Sequence, residues 1–174
     1  MNKKIIITTT SLFPGGAEYN LVRLVKRLNE FGFDITVVVL KRTEQSLSDQ
    51  LVRYCTILQK NSIFGFSLLK NLRSSNFLFI GWMYHGNVAA ALLGIVFNKK
   101  FVFNIRQSFS SWKNETVATR ICIFLNMFLM RLAKATVFNS HAGLYSHQRL
   151  IGFDSSKAKV VSNFFYNHDN KKRF

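Results

Sequence analysis

Acidic residues are scarce in this chain. Eight of 174 residues are Asp or Glu, against 24 Lys and Arg, for a formal net charge of +16. Asp34, Glu44, Asp49, Glu115, Asp154 and Asp169 are scattered, so a paired-carboxylate acid–base site has little to draw on. Proline occurs once, at Pro14, and no Pro/Gly/Ser-rich break, internal repeat or low-complexity run divides the sequence. The reading is therefore one domain over residues 1–174. The two cysteines, Cys55 and Cys122, have no metal-ligand spacing and fit reduced, buried thiols better than a disulfide framework. HExxH and CxxC motifs are absent, as is any Ser-His-Asp or Cys-His set, so no metal is expected. Gly-x-Gly-x-x-Gly is also missing, which counts against an ordinary dinucleotide-dependent dehydrogenase. Long apolar runs are lacking too. Residues 88–97 and 121–133 both fall short of the ~20 residues that a spanning helix needs. The Ile5–Ile7 run is too short for a signal peptide. The expectation is a cytoplasmic protein, peripheral at the inner face of the plasma membrane.

What is present is a globular composition, 48% hydrophobic and 18% charged. The positive excess attracts phosphates, nucleic acid or an anionic membrane face. Lys157, Lys159, Lys171, Lys172 and Arg173 form a basic cluster whose plainer reading is a solvated surface. Most of the 18 phenylalanines sit in apolar runs, not interleaved with a basic stripe, so nucleic acid is not the expected partner. Residues 116–134, with Arg120, Arg131 and Lys134 around an apolar body, fit either a helix in a headgroup layer or one covered by protein.

Along the chain, strands and helices alternate. Residues 4–9 form a short β-branched run that suits a buried parallel strand, ended by Pro14-Gly15-Gly16. Leu21, Leu24, Val25 and Leu28 then recur at helical spacing, with Arg23, Lys26, Arg27 and Glu30 on the other side, and Gly32 stops the helix. Residues 35–40 are a second apolar strand, completing a βαβ unit. Further strands are expected at 54–58, 77–80, 101–105, 136–139 and 159–162. Helices are expected at 64–73, 88–97 (apolar and buried), 116–134 and 142–150. The pattern predicts an α/β fold, a single Rossmann-like domain with a parallel sheet and helices on both faces. Ligands of such folds sit at the carboxyl ends of the strands.

The loops at those ends carry the candidates. In Gly15-Gly16-Ala17-Glu18 the glycines let a backbone approach a ligand, and the helix N-terminus offers N–H groups to an anion. Glu18 falls in the first helical turn, where a carboxylate is also favoured for structural reasons. Trp82-Met83-Tyr84-His85-Gly86 follows the strand at 77–80. His85 can hydrogen-bond a sugar or phosphate, while Trp82 and Tyr84 can stack on a sugar ring or pack in the core. Asn104-Ile105-Arg106-Gln107-Ser108 supplies a guanidinium fork suited to a phosphate or carboxylate. In Asn139-Ser140-His141, Ser140 is placed to cap the next helix, and His147 within that helix reads as structural.

Taken in order, these pieces resemble glycosyltransferase family 4, of the GT-B fold. The resemblance rests on Gly15-Gly16-Ala17-Glu18, Phe31-Gly32-Phe33-Asp34, Trp82-Met83-Tyr84-His85, Ile105-Arg106-Gln107-Ser108 and Phe138-Asn139-Ser140. His147 with Gly152-Phe153 and Lys159-Val160-Val161-Ser162-Asn163 complete it. It spans nearly the whole chain. It implies the N-terminal, acceptor-side half of a GT-B fold, transfer from a nucleotide-diphosphate sugar with retention of configuration, and no tightly bound cofactor. The acceptor would be a glycan or a sugar on a lipid carrier, as in bacterial surface polysaccharide assembly. It further implies His85 as the catalytic candidate near the transferred sugar, Gly15 and Gly16 facing the donor diphosphate, and Arg106 near acceptor or phosphate. Glu18, Trp82, Tyr84, Gln107 and Ser140 complete the substrate-binding set.

Two departures accompany the resemblance. After Asn163 the family pattern gives way to Phe164-Phe165-Tyr166-Asn167. The 174 residues also leave no room for a donor-binding domain, so that half is expected in cis or in trans and the chain alone is expected to be inactive. Exposed apolar side chains are expected near Phe109, Trp112 and residues 164–166.

Overall fold

In the computed structural model, residues 4–41, 43–59, 77–108, 111–151 and 155–162 are described. Isoleucines 5, 6 and 7 open the chain's first strand, β1 (Lys4–Thr9), and all three are buried, as a strand covered on both faces requires. It is joined by β2 (Asp34–Val39), β3 (Thr56–Gln59), β4 (Phe77–Trp82), β5 (Phe101–Ile105), β6 (Ala135–Phe138) and β7 (Ala158–Val160). All pairings among these strands are parallel, in the order β3-β2-β1-β4-β5-β6-β7. The helices are α1 (Gly16–Glu30), α2 (Gln45–Leu51), α3 (Met83–Val96), α4 (Val117–Leu129) and α5 (His141–Ile151).

Alternate residues of β1 to β4 feed two separate cores, while β5, β6 and β7 feed only one of them. Ile5, Ile7, Val37 and Val39 pack with Leu21 and Val25 of α1 and with Leu47 and Leu51 of α2. On the opposite side, Ile6, Phe79, Phe103 and Phe138 pack with Ala90 and Ala91 of α3 and Ile123 of α4. The α/β, Rossmann-like reading with helices on both faces is the observed fold.

Helix ends explain several boundaries. At the end of α1, Gly32 adopts φ 77° and its N–H donates to the Asn29 carbonyl, while the Phe33 N–H donates to Leu28. This double bond satisfies the last carbonyls of the helix, and the positive φ is why glycine stands there. Asn98 (φ 51°) closes α3 the same way, through Asn98 N–H to Ile95 and Lys99 N–H to Gly94. Thr116 caps α4, accepting from the Thr119 N–H at 3.2 Å.

The structure departs from the sequence reading at five points. The segment at 82–86 is not a strand-end loop: β4 runs directly into α3, with Met83 (φ 63°) as the turning residue. The helix expected at 88–97 therefore begins five residues earlier, and it is only partly buried, since Leu92, Ile95 and Val96 are exposed. The helix expected over 116–134 ends at Leu129. Helix α2 had no counterpart in the periodicity reading, because a seven-residue helix shows only the one Leu47–Leu51 repeat. The strand at 54–58 starts two residues later, with Tyr54 and Cys55 in the preceding turn. Residues 64–73, Phe109, Gly152-Phe153 and 163–174 lie outside the described residues.

Candidate functional site

The strand order reverses at β1, whose neighbours are β2 and β4. The chain passes from β1 to β2 on one side and later from β3 to β4 on the other, and in folds of this kind ligands bind outside the carboxyl ends at such a reversal. Gly15 and Gly16 follow β1, and His85 lies in the first turn of α3, directly after β4. That turn sits hard against β1. The Thr8 hydroxyl donates to the Gly86 carbonyl at 2.7 Å, and a Cβ on Gly86 would collide with the Thr8 carbonyl. Glycine at position 86 is thus what lets the His85 turn approach the β1 end.

His85 is half-buried, and its Nε2 is enclosed without a hydrogen-bond partner among the described residues. Trp82 Nε1 and Asn87 Nδ2 are in the same condition. Burial, with a smaller contribution from the charge of Lys41, pushes the His85 pKa below its ordinary value and so favours the neutral ring. Lys41 lies two residues beyond the end of β2 and its N–H donates to the Thr10 carbonyl. The strand-end rule that singled out Arg106 points equally to Lys41, a cation near this reversal missed in the sequence reading.

Arg106 follows β5. Its Nε–H donates to Asn104 Oδ1 at 2.7 Å, and its guanidinium lies 4.8 Å from the centroid of the Trp82 ring. Trp82 is fully buried in the α1-side core and Tyr84 in the opposite one. As placed, their rings pack in the interior, and Trp82 serves Arg106 as a stacking platform. Asn87 Oδ1 accepts from the Asn104 N–H at 3.1 Å and ties α3 to β5.

The Tyr84 hydroxyl contacts His147 Nε2 at 2.8 Å. His147 Nδ1 lies 2.7 Å from the Gly143 carbonyl, which can only accept, so Nδ1 carries the proton and Nε2 accepts from Tyr84. Burial lowers the His147 pKa, and burial pushes that of Tyr84 up to about 12, with the Gln107 side chain acting the other way. Gln107 and Ser140 meet through the turn that starts α5. Ser140 Oγ accepts from the Gly143 N–H at 3.0 Å, Asn139 Nδ2 donates to the Arg106 carbonyl at 3.1 Å, and the Gln107 carbonyl sits above Gly143. Ser140 is therefore a helix cap in this structure. Glu18 folds back over its own helix start, its carboxylate 2.6 Å from where a Gly15 Cβ would be. Gly16 is open, with nothing near the corresponding position.

The structure thus gathers His85, Trp82, Tyr84, Arg106, Gln107 and Ser140 along the carboxyl ends of β4, β5 and β6. Gly15, Gly16 and Glu18 stand at the end of β1. The buried amides Asn87 and Asn126 were missed, and Asn104 was quoted only as part of the Arg106 segment. Their signal was polar side chains inside apolar runs, which a sequence alone does not separate from surface positions.

No family model matches the chain, and no curated protein matches it in sequence. Solved structures do match. Crystal structures of Anabaena Alr3699/HepE in complex with UDP and glucose, with UDP, and with UDP-glucose superpose with TM-scores of 0.70, 0.70 and 0.69 at 17%, 16% and 17% identity. They cover 94%, 94% and 93% of this chain but 45%, 44% and 44% of theirs, so the chain spans less than half their length. The likeness is one of fold: a single Rossmann-like α/β domain that superposes on less than half of each of those chains.

Proposed function

We propose that this chain is the acceptor-side half of a retaining, family 4 type glycosyltransferase that uses a nucleotide-diphosphate sugar. The observation that carries the reading is His85, half-buried beside the strand-order reversal with its Nε2 enclosed and without a partner among the described residues. A buried polar group without a partner costs about 1–3 kcal/mol. At the strand ends where such folds bind ligands, the unpaired and partly accessible His85 nitrogen is best explained by a ligand that completes it. The fold likeness to a protein crystallised with UDP and UDP-glucose supports the donor class.

In this reading the acceptor hydroxyl oxygen bonds to the anomeric carbon as the bond from that carbon to the diphosphate breaks, and the hydroxyl proton leaves with the phosphate. The neutral His85 imidazole hydrogen-bonds the transferred sugar. Arg106 and Lys41 stabilise negative charge, and the open Gly16 backbone at the start of α1 faces the diphosphate. Glycan or lipid-linked sugar acceptors in bacterial surface polysaccharide assembly fit this arrangement, with the donor-binding half supplied in cis or in trans.

The mass and sequence of the native gene product are determined first, and transfer from UDP-sugars is then assayed with it. In parallel, the indole N–H of Trp82 and the imidazole of His85 are followed by NMR as UDP-sugar and glycan are added. Shifts at both, with transfer reduced at least about a hundredfold in His85→Ala, are the expected result. Unmoved resonances together with undiminished transfer by His85→Ala would sink the proposal.

A further inference from the structure

Helix α4 presents an apolar stripe to the outside. At 100° per residue, Val117, Ile121, Phe124, Leu125 and Phe128 fall within an arc of about 100°. All five are exposed, Val117 at 70% and Phe128 at 53%, while Ile123 and Asn126 on the reverse side are buried. Leu132 continues the stripe beyond the helix end. A patch this continuous marks a contact surface, where scattered single apolar residues would not.

The surroundings of the stripe are basic. Arg120 and Arg131 flank the stripe and are exposed. At its far end lies an open cleft of about 550 Å³ at the amino edge of the sheet, opposite the candidate site. Lys99, Lys100, Lys134 and Lys157 line it together with Leu132. Lys157 is held there by donating to the Arg131 carbonyl at 2.8 Å.

We propose that α4 and this lysine cleft dock the protein on an anionic lipid bilayer, with the stripe at the acyl boundary and the lysines on headgroup phosphates. The helix has 13 residues, so it is about 20 Å long and suited to lie in the interface plane. No helix among the described residues is long and apolar enough to span a membrane. The charge pattern selects this occupant. A second copy of the chain would bring two basic rims together, which repels. Nucleic acid would match the lysines but leave five aliphatic and aromatic side chains without a partner. An anionic bilayer complements both features. The inference does not depend on the transferase reading, because membrane binding is measured without any nucleotide sugar.

The test is flotation of the full chain with phosphatidylcholine vesicles, with and without about one-third phosphatidylserine, at low and high salt. Two variants accompany it, Ile121→Gln with Phe128→Gln, and Lys99→Gln with Lys100→Gln and Lys134→Gln. All substituted side chains but Lys99 are exposed, and circular dichroism checks the fold of each variant. The expected result is binding to the phosphatidylserine vesicles that weakens in salt and falls at least about tenfold in each variant. Equal binding to both vesicle types, binding unchanged in the variants, or no vesicle binding with self-association that Ile121→Gln/Phe128→Gln abolishes would each overturn the proposal.

Discussion

The Tyr84 hydroxyl and His147 Nε2 are 2.8 Å apart in the core, joining the first turn of α3 to α5 across 63 residues of sequence. The bond has a direction, because the Gly143 carbonyl fixes the His147 proton on Nδ1. Tyr84→Phe keeps the ring and removes the hydroxyl that donates to the buried Nε2. The expected loss of stability is about 1–3 kcal/mol, read from urea unfolding. A variant as stable as the parent would show that the hydroxyl is not needed there.

Stability should fall as the pH drops below neutrality. Burial lowers the folded pKa of His147 and, with Lys41, that of His85, below the ordinary 6.5. The stabilising contribution is thus complete above 6.5, where both states are neutral. It is lost as pH falls through 6.5 towards the folded values, where only the unfolded chain takes up protons. The slope reaches at most about 1.4 kcal/mol per pH unit for each histidine. Carboxylates ordinarily titrate near pH 4 and contribute little above 5.5. Urea unfolding at pH 7.5, 6.5 and 5.5 measures this, and a flat profile would contradict the burial argument.

Two glycines should respond in opposite ways to the same substitution. Gly86→Ala drives a methyl into the Thr8 carbonyl and separates α3 from β1, with an expected cost of about 3 kcal/mol or more. Gly16→Ala meets open space at the first position of α1, where the expected change is a gain of a few tenths to about 1 kcal/mol. If the Gly16 backbone faces the donor diphosphate, the same methyl lowers transfer in the full enzyme. Thermal unfolding and turnover then move in opposite directions.

Arg106→Lys tests the guanidinium. Lysine keeps the charge but loses both the Nε–H bond to Asn104 and the flat stack on Trp82. Transfer by the full enzyme should fall at least about tenfold, with Asn104→Ala giving a smaller loss through misplacement of Arg106. Unchanged kinetics in Arg106→Lys would remove this residue from the anion site.

Much of this protein was readable from its residues. Apolar runs such as Ile5–Ile7, bounded by turn residues, suit strands buried on both faces, because their own composition leaves no polar face to wet. Gly32 marked the end of α1 because a positive φ there is nearly free only for glycine. Strand-to-helix alternation then dictated a parallel sheet, and the strand-end rule selected His85 and Arg106. Tertiary structure alone decided the rest. Sequence spacing carries no information on strand order, so the reversal between β2 and β4 around β1 had to be seen. Met83 turns the chain in a left-handed conformation that its residue type does not favour, which made a loop of what is the start of α3. The fates of Trp82 and of the α4 stripe also depend on neighbours distant in sequence. An indole at a strand end is buried or free according to what packs over it, and an apolar helix face is core or surface according to what the fold lays against it.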